Sequence, residues 1–171
     1  MNSQLLPVVT TVSAFIVFLA GCKPSPSEPP LRAAEKTTAA SPSLVIGKSE
    51  GPDSSLLRFN GWYDNEGKVL RWSEGNKSSL DFFADASLEK AKKLLLNAYM
   101  NGEQRVTISL NGRKLYTEQL QGASQSLSIN IPTGLIVSGK NSLAFELPDA
   151  KLGSEPDQRI MALGFQSITL E

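Results

Sequence analysis

Between residues 106 and 147, apolar and polar positions alternate with period two. Val106, Ile108 and Leu110 share one face, with Thr107 and Ser109 on the other. Leu127, Ile129 and Ile131 alternate with Ser128 and Asn130, and Leu143, Phe145 and Leu147 with Ala144 and Glu146. Such runs predict half-buried antiparallel strands. Asn101-Gly102 and Asn111-Gly112 each separate two runs. Asn-Gly suits a type I′ turn, in which both central residues take positive φ, so Leu94 to Leu120 is expected to form a three-stranded meander. Leu88, Ala91, Leu95 and Ala98 have helical spacing, yet a hairpin at Asn101-Gly102 needs a strand before it. The expectation is therefore a turn or helical stub to Lys92 and a strand from Lys93 to Met100. Pro148 and Pro156 bracket a loop, Asp149 to Asp157, and the apolar run Ile160 to Leu170 reads as a central strand covered on both faces. About eight to ten short strands with turns between them predict an all-β fold, an antiparallel β-sandwich spanning 55–171.

The N-terminus has a different texture. Residues 1–21 contain no charged side chain, and Val8 to Ala20 is a mostly apolar run of thirteen. A membrane-spanning helix needs about 20 such residues; a run of this length suits the apolar part of a secretory signal. The run ends Leu19-Ala20-Gly21-Cys22, at the only cysteine of the chain. This resembles the lipobox of bacterial lipoproteins. The resemblance implies a signal peptide over 1–21, cleavage before Cys22, and a diacylglycerol group on the Cys22 thiol. At about 0.8 kcal/mol per buried methylene, two or three acyl chains hold a protein to a bilayer. Lipid attachment at the cell envelope is the expected localisation. Lys23 stands where an Asp would signal inner-membrane retention, which favours the outer membrane in a cell that has one. Lys23-Pro24-Ser25-Pro26-Ser27-Glu28-Pro29-Pro30 opens a stretch rich in Pro, Ser and Ala, with few residues able to pay for ordering. It predicts a disordered tether over 22–54, with Leu44-Val45-Ile46 as a segment able to dock as an edge strand.

Composition narrows the function. Seventeen basic residues balance seventeen acidic ones, which argues against a nucleic-acid footprint. The chain has no His, the commonest general base and metal ligand. A glycosidase-like carboxylate pair would have to come from residues such as Glu66 and Glu74, and no spacing favours them. Asp149, Glu155 and Asp157 share one loop, a composition compatible with a structural Ca²⁺, but without EF-hand spacing. No catalysis, metal or cofactor is expected.

Six of the ten aromatics beyond residue 21 fall between Phe59 and Phe83. Aromatic faces beside carboxylates and an Arg are what sugar binding uses: a ring stacks on the apolar face of the sugar while charged groups engage its hydroxyls. The same residues can instead brace a sandwich, with Trp72 in the core and Arg71 paired to Glu66 or Asp157. Gly61-Trp62, Glu66, Arg71-Trp72-Ser73 and Gly75, then Asn111-Gly112, Leu147-Pro148-Asp149-Ala150 and Asp157-Gln158-Arg159, occur in that order. This order resembles the domain at the C-terminus of bacterial phosphoglycerol transferases and related membrane glycosyltransferases. Gln158, Met161 and Ala162 stand where that pattern has Pro, Leu and Gly. The resemblance implies a jelly-roll-like sandwich akin to carbohydrate-binding modules, without catalysis of its own. It also implies candidate ligand-binding roles for Trp62, Glu66, Arg71, Trp72, Asp157 and Arg159. Two readings follow. One is a non-catalytic lipoprotein presenting a carbohydrate-binding-like domain to envelope polysaccharide. The other is a structural or assembly lipoprotein that docks on a membrane glycosyltransferase or another envelope protein.

Overall fold

The computed structural model describes residues 42–64, 67 and 69–171. The signal run 1–21, Cys22, the stretch to residue 41 and Glu66 lie outside the described residues. The elements are β1 (Leu57–Asn60), β2 (Arg71–Trp72), β3 (Lys77–Ala84), a 3-10 turn (Leu88–Lys90), β4 (Lys93–Met100), β5 (Gln104–Leu110), β6 (Arg113–Leu120), β7 (Ser124–Asn130), β8 (Gly139–Glu146), β9 (Lys151–Leu152), β10 (Ile160–Met161) and β11 (Leu163–Leu170). They form a five-stranded sheet, β1-β3-β8-β5-β6, a four-stranded sheet, β2-β11-β4-β7, and a small β9-β10 ribbon. Every pairing is antiparallel. The chain passes back and forth between the two large sheets, as jelly rolls do, so neighbours in sequence are often in opposite layers.

The period-two residues meet in one core. Val106, Ile108, Leu110, Leu143 and Phe145 come from one sheet, with Leu147 just past its strand β8, and Leu94, Leu96, Ala98, Phe165 and Ile168 from the other, all almost without exposed surface. β11 lies inside its sheet, between β2 and β4. Residues 161–165 are buried without interruption, and alternation sets in only after a register shift between Phe165 and Ser167. Between β10 and β11 the buried Ser73 hydroxyl accepts the Ala162 and Leu163 N–H groups, both at 3.1 Å, and so supplies an acceptor where the strand is broken.

The two Asn-Gly pairs behave differently. Asn111 (φ 49°) and Gly112 (φ 80°) make the expected hairpin between β5 and β6. Asn101-Gly102 makes none: β4 and β5 lie in different sheets, so the expected three-stranded meander does not form. Gly102 has positive φ and Asn101 does not. The Asn101 amide nitrogen instead lies 3.1 Å from the carbonyl oxygens of Lys151, Leu152 and Met161, and its backbone N–H donates to the Ala162 oxygen. That clasp ties the crossover to the β9-β10 ribbon.

Part of the stretch read from composition as tether packs on the sandwich. Leu44 is buried and donates its N–H to the Phe83 oxygen, Gly47 donates to the Leu170 oxygen, and Glu50 and Ile168 exchange both backbone bonds at 2.9 Å. Of the Leu44-Val45-Ile46 segment, only Leu44 enters the core.

Candidate functional site

Strand parity decides where each nominated residue goes. Trp62 bridges Ser73 beside β2 and is 9% exposed. Its indole meets Phe59, Phe145 and Phe165 edge to face at 5.7, 5.5 and 6.1 Å, and its N–H donates to the Ser79 oxygen at 2.7 Å. Each such ring pair is worth about 0.5–1.5 kcal/mol beyond the area it buries. Trp62 therefore holds the two sheets together and presents no free face.

Arg71 and Trp72 are neighbours on β2 and point opposite ways. Arg71 lies opposite the buried Phe165, so its side chain enters the space between the sheets. Its guanidinium carbon is 4.4 Å from the Phe59 ring centre. The expected partner Asp157 is engaged elsewhere.

Trp72 lies directly opposite Gly164, and Gly164 directly opposite Tyr99 and Tyr99 opposite Ser124. Directly opposed residues share a face. Since Ala98 and Met100 point into the core, Tyr99 and its row point out. A side chain at Gly164 would collide with Leu70 and crowd the Trp72 ring, at 2.8 and 3.2 Å, so the indole lies down against the glycine backbone. Two half-buried aromatics thus stand on either side of a glycine, two strand spacings or about 9.6 Å apart along the sheet. The next row is polar. Asn97 donates to the Ser167 hydroxyl at 3.0 Å and accepts from the Ser126 hydroxyl at 2.7 Å. Ser124, Ser126, Ser128 and Asn130 line the outer face of the edge strand β7. An apolar platform beside fixed hydroxyls and an amide, with few charges, is able to stack a sugar ring and bond its hydroxyls.

The outer face of the other large sheet is charged. Arg58, Lys77, Lys140 and Glu146 are exposed there, and Lys140 pairs with Asp81 at 2.8 Å. A recess of about 220 Å³ on that side is lined by Asn76, Lys77, Thr107, Glu146, Leu147 and Pro148, without an aromatic ring.

Asp157 and Arg159 form a two-pronged ion pair two residues apart. The arginine Nε lies 2.9 and 3.1 Å from the two carboxylate oxygens, and the Arg159 N–H donates to the same group. These bonds from Arg159 hold the Asp157 pKa down to about 2. The Arg159 guanidinium sits 5.0 Å from the ring centre of Tyr63, whose hydroxyl donates to the Ile160 oxygen and whose N–H donates to the Trp72 oxygen. Asp149 is claimed by Arg105 through three bonds of 2.7–2.9 Å, and its pKa falls to about 2. Among the described residues no three acidic side chains gather as a metal site would require.

Trp72 is thus brought near Tyr99 and Tyr63, Arg71 near Phe59, and Asp157 near Arg159. Tyr99, Asn97 and Gly164 escaped the sequence reading because their place depends on which strands become neighbours. The alternation of Leu94, Leu96 and Ala98 with Leu95, Asn97 and Tyr99 was the available signal.

No family model matches the chain, and no curated protein matches it in sequence. Among solved structures it is similar to an acetyl xylan esterase from Butyrivibrio proteoclasticus, at 12% identity and TM-score 0.49, covering 74% of this chain and 32% of that one. It is similar to a family 35 carbohydrate-binding module from an environmental isolate, at 14% identity and TM-score 0.48, covering 72% and 92%. It is also similar to the CBM36-1 domain of a multidomain xylanase from the hindgut metagenome of Trinervitermes trinervoides, at 12% identity and TM-score 0.46, covering 72% and 95%. The chain spans about a third of the length of the esterases it matches. The sandwich assigned to this chain rests on its own sheet order and register, independently of these neighbours.

Proposed function

We propose that this chain is a non-catalytic envelope lipoprotein, anchored through Cys22, whose β-sandwich binds glycan on the outer face of its four-stranded sheet. The observation that carries the reading is the Trp72–Gly164–Tyr99 row with the bonded Asn97, Ser126 and Ser167 beside it. A stacked base on an aromatic ring contributes about 1–3 kcal/mol in nucleic-acid binding, and a ring stacked on an apolar sugar face is of similar kind. Two rings and a polar row give a modest, repeatable affinity suited to holding a polymer.

The test is retention of the full chain, made unacylated by Cys22→Ser, on an array of envelope polysaccharides. Wild-type side chains retain at least one polysaccharide. Trp72→Ala and Tyr99→Ala each weaken retention about tenfold or more, while Trp62→Phe, a core change, leaves it intact in the folded fraction. Equal retention by Trp72→Ala, Tyr99→Ala and wild type refutes the platform. The anchor has its own check: mass spectrometry finds acyl mass on the wild-type chain and none on the Cys22→Ser chain.

One observation favours docking on a protein instead. Leu152 and Ile160 are cross-strand partners on the β9-β10 ribbon, 56% and 49% exposed. If that ribbon is the working surface, Leu152→Ser in the unacylated Cys22→Ser chain abolishes its retention on envelope membranes and Trp72→Ala does not.

A further inference from the structure

Among the nominated residues, Arg71 stands next to the platform without being part of it. Its side chain runs inward from β2, the edge of one sheet, onto Phe59 of β1, the edge of the other. Both lie on the same lateral opening of the sandwich, since Phe59 also meets Phe165 at 5.3 Å. The Nε–H is enclosed and has no hydrogen-bond partner. No carboxylate among the described residues pairs with this guanidinium. Asp157, the partner that the sequence suggested, is taken by Arg159. The residue is half-buried, so the cost falls on the one enclosed, unpartnered N–H rather than on the whole cation. The Phe59 ring offsets part of that cost, but only through the flat face of the group. The in-plane N–H fork, which fits a planar carboxylate or a phosphate, stays unused.

We infer that Arg71 is an anion-binding group, and that the ligand it serves is a glycan carrying a carboxylate or phosphate substituent. This rests on the glycan-binding reading for its geometry. The Trp72–Gly164–Tyr99 row crosses the strands and leaves the sheet at β2. A polymer lying on it passes over the edge where Arg71 sits, one residue from Trp72 and on the opposite side of the strand. The rings hold the sugar backbone, and Arg71 reads its charged substituent from the end of the fork.

The experiment uses the full Cys22→Ser chain with three matched probes: a uronic-acid polymer, the same polymer with its carboxyls reduced to alcohols, and poly(glycerol phosphate). Wild type binds a charged polymer about tenfold more tightly than the reduced one at low salt, the worth of one charge-assisted hydrogen bond. Arg71→Met removes that preference without lowering the melting temperature, because an apolar side chain suits the seam. Arg71→Lys, which keeps charge and loses the fork, restores only part of it. Preference for the uronate over the glycerol phosphate polymer names a carboxylate as the substituent, and the reverse names a phosphate. Trp72→Ala weakens charged and reduced polymers alike. If wild type and Arg71→Met bind charged and reduced polymers equally, the anion inference is overturned and the platform stands. If no polymer binds, the platform fails, and the Arg71 Nε–H resonance decides the rest. Its movement on titration with glucuronate or inorganic phosphate supports an anion site; no movement overturns it.

Discussion

Trp62 and Trp72 lie ten positions apart in one aromatic segment, and the fold uses them in opposite ways. Trp62 is surrounded by three phenylalanines and spends its N–H on a backbone carbonyl. Trp72 lies flat on a glycine at the edge of the outer face, with Tyr99 beyond it. The same residue type thus supplies cohesion in one place and a surface in the other. What separates them is parity: Trp72 and Arg71 are adjacent on β2, so one must face out if the other faces in. That Arg71 takes the inward place, against Phe59, is what leaves Trp72 on the surface.

The sharpest way to break this comparison is to truncate both rings. Trp62→Ala opens a cavity where two sheets meet and removes an indole, which costs about 3–5 kcal/mol. Denaturant unfolding measures it, and whatever fraction stays folded binds glycan as wild type does. Trp72→Ala removes a half-buried ring from the surface and costs about 1 kcal/mol or less, yet glycan retention is lost. If the two variants exchange these outcomes, the assignment of core and platform is reversed.

Gly164→Ala sharpens the platform side. The added methyl would stand 2.8 Å from the Leu70 side chain and 3.2 Å from the Trp72 ring, and Gly164 has no unusual φ to blame. Leu70 can swing away; the indole must lift off the sheet. Overpacking of this kind costs about 1–3 kcal/mol. The expected result is a smaller stability loss than Trp62→Ala, with tryptophan fluorescence shifted toward that of an exposed ring and weaker glycan binding.

How much of this was legible beforehand follows from which contacts are local. The strand Lys93–Met100 was expected over a helix because a hairpin at Asn101-Gly102 needed a partner; the strand forms, but it pairs with β7 and β11 instead of β5. The Asn111-Gly112 hairpin emerged because both φ requirements are local. Asn101-Gly102 carries the same dipeptide and misled, because its side chain is spent on three carbonyls some 50–60 residues away, which no window around residue 101 contains. The aromatic segment was conspicuous in the sequence, but assigning Trp62 to the core and Trp72 to the surface required knowing that β11 runs beside β2. Tyr99 joins the platform only through the same strand. Leu44 packs although the residues around it read as tether, since one buried leucine and a few backbone bonds are enough to seat a segment whose composition favours disorder.

The smallest expected effect comes from acid, and it separates the two tryptophans without mutation. Arg159 holds the Asp157 pKa to about 2, against about 3.9 for an unperturbed Asp. A carboxylate with a depressed folded pKa contributes stability that is fully present above the unfolded value and is lost as pH falls through the folded one. The contribution is therefore complete above about pH 4 and disappears between about pH 4 and 2. Protonating Asp157 weakens its bonds with Arg159, which also lies over Tyr63, whose backbone N–H is tied to Trp72. Acid thus loosens the corner next to Trp72. The rings that surround Trp62 among the described residues are phenylalanines, which do not titrate, and that cluster stays closed. Followed by NMR from pH 5 to 2, the Asp157 carboxyl titrates near 2, and the Tyr63 and Trp72 signals move with it while the Trp62 indole N–H does not. Abolishing the pair with Arg159→Gln returns the Asp157 titration toward the ordinary range and removes the coupled movement. If the Trp62 N–H shifts together with Trp72 in the wild-type chain, the two rings belong to one unit and the division between cohesion and surface fails.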